Sequence, residues 1–332
     1  MSAALAIAHP NVALSKYWGK REGCGNFPAV PSLSVTLGGL ATRTHVRFDH
    51  RVPEDRVVLD GRAAEPRERV RVVELLDRVR SASGESRRAE VVTRNDFPTA
   101  GGLASSASGF AALALCAVRA AGLDWDAERV SDLARRSSAS AARSVFGGFV
   151  ELDAGPVAPR EVDFLAARPL APPEHLPLAV LVCITTENAK AIGSTAGMRA
   201  TMERSPYASA WLEAAPRLHE RLREALLARD FSAVGQLAEA SALAMHASAM
   251  AAGVLYWTAA TLEALSAVHA LRARGIEAYA TIDAGPHVKV LVRPDDAACA
   301  TEAMAAVPGV RRIIQSRTGT AAALLDDAGA AA

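Results

Sequence analysis

The stretch Asn95 to Gly109, NDFPTAGGLASSASG, sets the tightest limit on how this chain folds. A β-type run, Ala89 to Thr93, leads into it, and a small-residue apolar run, Phe110 to Val118, leads out. Gly101 and Gly102 sit at the junction, with Ser105 and Ser106 just after. Glycine lets backbone N–H groups approach an anion, and a helix start aims unpaired N–H groups and a positive dipole end at it. Serine hydroxyls bind phosphate oxygens or a phosphate-bound Mg²⁺. One reading is therefore a phosphate cradle; the other is a glycine turn before an ordinary packed helix. The Gly-Lys-Ser/Thr ending of a Walker loop is absent, as is the Gly-x-Gly-x-x-Gly dinucleotide fingerprint.

A length of 332 residues suggests two domains, drawn here at 1–175 and 176–332. With a formal net charge of +1 and 5% aromatic residues, the chain has neither a global field for nucleic acid or an anionic membrane nor base-stacking platforms. Cys24, Cys116, Cys183 and Cys299 form no Cys-x-x-Cys pair, and no His-Glu-x-x-His spacing occurs. The N-terminus lacks a basic region followed by a long apolar core, and the least charged run, Gly101 to Val118, is too short and polar for a membrane span. A cytoplasmic protein with small-molecule partners is expected.

In chain order, Leu5 to Ala8 predicts a strand. In HPNVALSKYWGK, His9 to Lys20, a helical turn would set Lys16 and Lys20 on one side. Such a pair suits an anion between the ammonium groups, or else marks two solvated lysines at a surface turn. Leu33 to Leu37 and Thr42 to Phe48 alternate, which predicts a β-hairpin about Gly38-Gly39. Val57 to Leu59 is a further strand, and Glu65 to Ser81 a helix with Val72, Leu75, Leu76 and Val79 on its apolar face. After a helix at Asp126 to Arg136 comes a serine-rich run, Ser137 to Ser144, carrying Arg143. Guanidinium can clamp a carboxylate or phosphate there, or Arg143 is a surface residue after a capping serine. Val145 to Asp153 reads as a strand, and the Pro-rich run Ala154 to Pro177 as a domain crossing.

The second half opens with a buried-type strand, Leu178 to Ile184, and a polar segment, Thr185 to Met198, holding Lys190, Ser194 and Thr195. Helices follow at Ala208 to Leu227, Phe231 to Ala251 and Thr258 to Ala273. Ala278 to Ile282 and Val288 to Val292 form a hairpin around Asp283-Ala284-Gly285-Pro286. Asp283 is either a site carboxylate at a strand end or a turn-initiating residue. At a solvent-facing turn it carries little core packing, so its replacement is expected to spare the fold. A helix at Asp295 to Ala306, a final strand at Val310 to Ile314 and a frayed tail, Ala321 to Ala332, complete the chain.

Several of these segments together resemble the mevalonate diphosphate decarboxylase family of the GHMP kinase superfamily. They are Asn11-Val12-Ala13 with Lys16-Tyr17-Trp18-Gly19-Lys20, Ser32 to Leu37, Asn95 to Gly109, Ser138 to Arg143 with Gly147-Gly148-Phe149, Ser194-Thr195 with Gly197-Met198, and Asp283 to Pro286. The resemblance implies an α/β (α+β) two-domain fold: an N-terminal domain like ribosomal protein S5 and a C-terminal α+β domain, with the active site between them. It implies ATP- and Mg²⁺-dependent conversion of mevalonate 5-diphosphate to isopentenyl diphosphate, with release of ADP, phosphate and CO₂. Asp283 is implied as base or orienting group, Lys16 and Asn11 as its companions, and Arg143 as the holder of the carboxylate. Tyr17, Trp18, Gly19, Lys20, Arg71, Ser138, Ser140, Ser194 and Thr195 are implied around the substrate. Pro98, Gly101, Gly102, Leu103, Ala104, Ser105 and Ser106 are implied at the ATP phosphates, with Ser105 on Mg²⁺. A homodimer is common in the family.

The chain departs from the family pattern at Val30-Pro31, where Asn-Ser is usual, and at Ser137 and Ala139, where glycines are common. These positions bear on the phosphorylation state of the substrate. The rival readings are a decarboxylase or kinase acting on a mevalonate monophosphate or mevalonate, and a non-catalytic ATP- and metabolite-binding sensor.

Overall fold

A computed structural model describes residues 3–23, 25–97, 105–188 and 190–326. The sequence-predicted positions Pro98, Gly101, Gly102, Leu103 and Ala104 lie outside the described residues, as does Cys24. The first half runs β1 (Ala3–Ala8), β2 (Asn11–Ser15), β3 (Ser32–Gly38), β4 (Thr42–Asp49), β5 (Arg56–Leu59), β6 (Arg62–Ala63), α1 (Pro66–Ser83), β7 (Arg88–Asn95), α2 (Ser105–Ala120) and α3 (Ala127–Ser137). A 3₁₀ segment, Ala139–Val145, leads to β8 (Phe149–Leu152) and β9 (Arg168–Ala171). Then come β10 (Ala179–Ile184), α4 (Ser194–Arg204), α5 (Ala208–Leu227), α6 (Phe231–Ala251), α7 (Ala259–Ala273), β11 (Ala278–Ile282), β12 (Val288–Val292), α8 (Ala297–Ala305), β13 (Arg312–Thr318) and β14 (Ala323–Leu325).

Local chemistry explains many boundaries. Glu65 caps α1 with Glu68 reaching back, Pro66 opens it, and Gly84 ends it in the left-handed conformation. In β4, Thr42, Thr44, Val46 and Phe48 are buried and their neighbours half-exposed, as the alternation predicts. This strand joins the sheet β14-β1-β4-β7-β5-β6, whose buried face packs on α1, α2 and α3. The second sheet runs β11-β12-β10-β13-β3-β8-β9, with β2 paired to β3. Helices α5 and α6 pack on it around Val35, Leu33, Phe231 and Leu237.

Three expectations fail. The predicted hairpin of β3 and β4 does not form: β3 pairs with β2, β8 and β13, while β4 pairs with β1 and β7. The strand β3 is buried from Ser32 to Leu37, so it is a central strand and needs partners on both edges. The tail expected to fray contributes β14, which completes the open edge of β1 through Ala323 to Leu325. Lys16 and Lys20 share no helical turn, because β2 runs to Ser15 and the chain stays non-helical through Gly19. The helix α4 lacks an apolar stripe, with Gly197, Met198 and Thr201 its buried residues, and its sequence gave no helical period.

The second sheet draws strands from both halves of the chain. Arg317 and Thr318 of β13 pair with Gly38 and Leu37 of β3. Gly319 meets Gly38 so closely that a β-carbon on Gly319 would collide with the Gly38 backbone. This join brings the end of β2 beside the end of β11.

Candidate active site

Lys16 follows β2, and Asp283 follows β11. Lys16 Nζ donates to Asp283 Oδ1 at 2.7 Å and to the Ala13 carbonyl at 2.8 Å. The Lys16 side chain is 1% exposed, whereas that of Asp283 is 25% exposed and borders a cleft. Lys289 Nζ lies 3.2 Å from the other oxygen, Asp283 Oδ2. Burial alone would raise the Asp283 carboxyl, but Lys16 and Lys289 outweigh it and hold the group well below the usual carboxylate range. Burial brings Lys16 down to about 8, against the opposing pull of Asp283. Asp283 is thus tied to two buried lysine side chains and does not stand free at a solvent-facing turn.

Arg143 is buried, not on the surface, since the 3₁₀ segment that carries it packs on α2 and α3. It donates to Ser32 Oγ at 2.7 Å and to Asn11 Oδ1 at 3.3 Å, and burial lowers it to about 10. Asn11 in turn donates to Ser144 Oγ at 2.7 Å and the Ser140 carbonyl at 3.0 Å. The Tyr17 hydroxyl and Arg143 Nε are buried without a hydrogen-bond partner among the described residues. Both residues line the cleft, so a bound polar group can complete them.

The cleft encloses about 780 Å³. At one part of its wall stand Ser105 and Ser106, at the start of α2. Lys20 donates to Asn26 Oδ1 at 2.6 Å and to Thr195 Oγ1 at 3.1 Å, linking the two halves across the mouth. Ser138 and Ser140 hydroxyls lie 3.2 Å apart. Arg71 donates to the Ser137 carbonyl at 2.8 Å, its guanidinium 4.5 Å from the Phe110 ring centre. Lys190 Nζ donates to Ser194 Oγ at 2.9 Å and to the Ala284 carbonyl at 3.1 Å. Trp18 is buried in an apolar cluster with Met198 and Trp211, and its indole donates to Thr201 Oγ1 at 3.1 Å. Gly19 does not border the cleft; at φ +110° it turns the chain between Trp18 and Lys20.

Six cationic side chains line the cleft (Lys16, Lys20, Arg71, Arg136, Arg143 and Lys190) against two carboxylates, Glu74 and Asp283. That imbalance suits a ligand bearing several negative charges. Among the described residues no cluster of three or more His, Cys, Asp or Glu side chains could hold a metal. A hard cation here would sit on ligand phosphates, with the Ser105 hydroxyl as a fitting protein ligand. Sequence reasoning missed Lys289, Ser32, Asn26, Glu74 and Arg136 as site residues. Two of them left a signal: Lys289 is a charged residue between Val288 and Val290 in an otherwise apolar strand, and Ser32 opens the segment Ser32 to Leu37.

A strand-fed helix start with serines, a cleft shared by two α/β halves and a lysine–aspartate pair at its floor define a member of the GHMP kinase class. Residues 8–161 match the model for the diphosphomevalonate decarboxylase-like N-terminal domain, and residues 180–324 that for the mevalonate 5-diphosphate decarboxylase C-terminal domain. Diphosphomevalonate decarboxylase of Bos taurus is 37% identical over 311 residues, 87% of this chain and 76% of that protein. Phosphomevalonate decarboxylase of Haloferax volcanii is 34% identical over 292 residues, 86% of this chain and 87% of that one. Mevalonate diphosphate decarboxylase from Enterococcus faecalis superposes with a TM-score of 0.88 at 35% identity, covering 98% and 99% of the two chains. A structure of MDDEF in complex with MVAPP, AMPPCP and magnesium gives 0.89 at 35% identity, with the same coverage. The chain belongs to the diphosphomevalonate decarboxylase family.

Proposed function

We propose that the chain converts mevalonate 5-diphosphate and ATP to isopentenyl diphosphate, ADP, phosphate and CO₂. The observation that carries this reading is the Asp283–Lys16 pair beside Arg143 and Asn11 in a cleft rich in cations. The C3 hydroxyl of the substrate is a tertiary alcohol and must be aimed at the γ-phosphoryl group. Asp283, ionised at every working pH, accepts the hydroxyl hydrogen bond and fixes its direction. Asp283 is also the carboxylate placed to take up the hydroxyl proton as the phosphoryl bond forms, so it serves as base or orienting group. Lys16 stabilises charge on the transferring phosphoryl group. Arg143, anchored by Ser32 and Asn11, holds the substrate carboxylate in register until the C3 phosphate departs and CO₂ is lost.

Lys20, Ser138, Ser140, Ser194, Thr195 and Arg71 take the diphosphate end in this reading, with Tyr17 and Trp18 walling the substrate. Ser105, Ser106 and the loop before them take the ATP phosphates. Ser105 would hold Mg²⁺ together with ligand phosphates, and the ion would supply neutralisation of phosphate charge. Turnover separates this enzyme from a non-catalytic sensor. A monophosphate substrate is favoured by one finding, the Haloferax volcanii relative that is a phosphomevalonate decarboxylase. Purified protein given ATP, Mg²⁺ and, in turn, mevalonate, its monophosphates and its 5-diphosphate decides between them, scored for both ADP and CO₂. The 5-diphosphate is expected to give the highest kcat/KM; tenfold better turnover of the 5-monophosphate would overturn that assignment.

The same reading takes the chain as two domains meeting near residue 175, as a homodimer and as cytoplasmic. Among the described residues no helix is long and apolar enough to cross a membrane. Sedimentation of the purified protein tests the dimer, and fractionation of its native host tests the compartment.

A further inference from the structure

Lys289 stands in the middle of β12, in register with Thr281 of β11 and Val182 of β10. Its side chain is 3% exposed and does not border the cleft. Its one ion-pair partner among the described residues is Asp283 Oδ2, at 3.2 Å, while Lys16 already holds Oδ1 at 2.7 Å. One buried ammonium suffices to pair one carboxylate. A second leaves a buried excess of positive charge, which costs stability, and an apolar residue of similar volume would suit an interior strand better. The fold gives no reason for Lys289; its contact with Asp283 does.

We propose that Lys289 is a positioning residue for this reaction: from behind the cleft wall it holds the second oxygen of Asp283, fixing the carboxylate plane and the Lys16 contact that the substrate hydroxyl meets. The proposal rests on the reading of Asp283 given above. The arrangement is cross-braced. Thr281 Oγ1 donates at 3.2 Å to the Ala13 carbonyl, which also accepts from Lys16 Nζ. With both oxygens held, the carboxylate cannot swing, and the hydroxyl meets it in one orientation.

Charged and titratable groups face this centre from every packed element. Lys16 lies at the end of β2, Arg143 on the 3₁₀ segment, and Lys190 before α4. His287 immediately precedes β12, two residues before Lys289, and Cys183 of β10, in register with Val288, feels the Lys289 charge from the other face of the sheet. His246 of α6 lies against Lys16 and the Asp283 backbone; burial lowers it to about 4, so it stays neutral. Lys289 pushes Lys16 down, so removing its charge lets Lys16 rise.

The test uses Lys289→Met, Lys289→Arg and Asp283→Asn in the full-length protein, with pH profiles of kcat/KM. Lys289→Met is expected to lower kcat by up to about 10²-fold, the cost of misplacing a reacting group by an ångström, with KM for both substrates within about twofold. Its alkaline limb, near pH 8 in the wild type, should move to higher pH. Lys289→Arg keeps the charge but displaces the contact, so it should lower kcat and leave the limb near pH 8. Added to Asp283→Asn, Lys289→Met should cause no further loss of kcat. Wild-type kcat with an unmoved limb in Lys289→Met overturns the proposal. Should Lys289→Met fail to fold, wild-type kcat in Lys289→Arg overturns it instead. A folded Asp283→Asn protein with wild-type kcat would sink the underlying reading of Asp283, a separate outcome.

Discussion

Replacing Asp283 by asparagine keeps the volume and one hydrogen-bonding oxygen but removes the charge between Lys16 and Lys289. The loss in kcat should reach at least roughly 10²–10⁴-fold, about 3–5 kcal/mol of barrier, because the group that aims the hydroxyl is gone. Stability should fall as well, since the two ammonium groups lose their carboxylate. The share due to Lys16 has a ceiling. With Lys16 at about 8, shedding its proton at pH 7 costs only about 1 kcal/mol, and the variant can always relax by that route. The sign with pH follows. Lys16 is depressed from its ordinary 10.5, so the folded state disfavours its charged form, and wild-type stability rises as pH climbs from about 8 toward 10.5. The Lys16 share of the deficit in Asp283→Asn therefore vanishes above about pH 8. The assays are paired ADP and CO₂ release at saturating substrate, and urea unfolding of both proteins at pH 7 and pH 9. A folded variant retaining more than about a tenth of wild-type kcat would refute the catalytic role, since even the weakest contribution of this kind is larger. A stability deficit that grew between pH 7 and pH 9 would refute the electrostatic account.

Arg143→Gln should separate the two halves of the reaction, with ADP formed in excess of CO₂ where the wild type gives equal amounts. ADP release without CO₂ by the wild type would instead make the protein a kinase. The wild-type kcat/KM should fall above about pH 8 as Lys16 loses its proton, and the fall should be absent in Lys16→Arg. Gly235→Ala places a β-carbon into the Tyr279 ring between α6 and β11, and should cost roughly 1–3 kcal/mol in urea unfolding. An unchanged midpoint would show that Tyr279 can move aside freely.

Elements written in a single local pattern were legible from the residues alone. The bounds of α5, α6, β11 and β12 agree with the sequence reading, because period and flanking turn residues lie within one segment. The separated motif segments also marked the family, since each carries its own residues wherever the chain goes. What lay beyond the sequence depends on partners far along the chain. Alternation in β3 and β4 told of two strands and nothing of their belonging to different sheets. Strand β14 exists because β1 offers an open edge more than 300 residues away. From its neighbours alone Arg143 could be an anion clamp or a surface residue, and the choice is made by the 3₁₀ segment that packs it against Asn11 and Ser32. Lys289 had no place in the sequence reading, and only the β11–β12 register sets it under Asp283. Hydrophobic period and turn chemistry act over a few residues, so sequence determines them directly. Strand pairing, and with it the burial and charge state of Lys16, Asp283 and Arg143, is fixed only when the whole core closes.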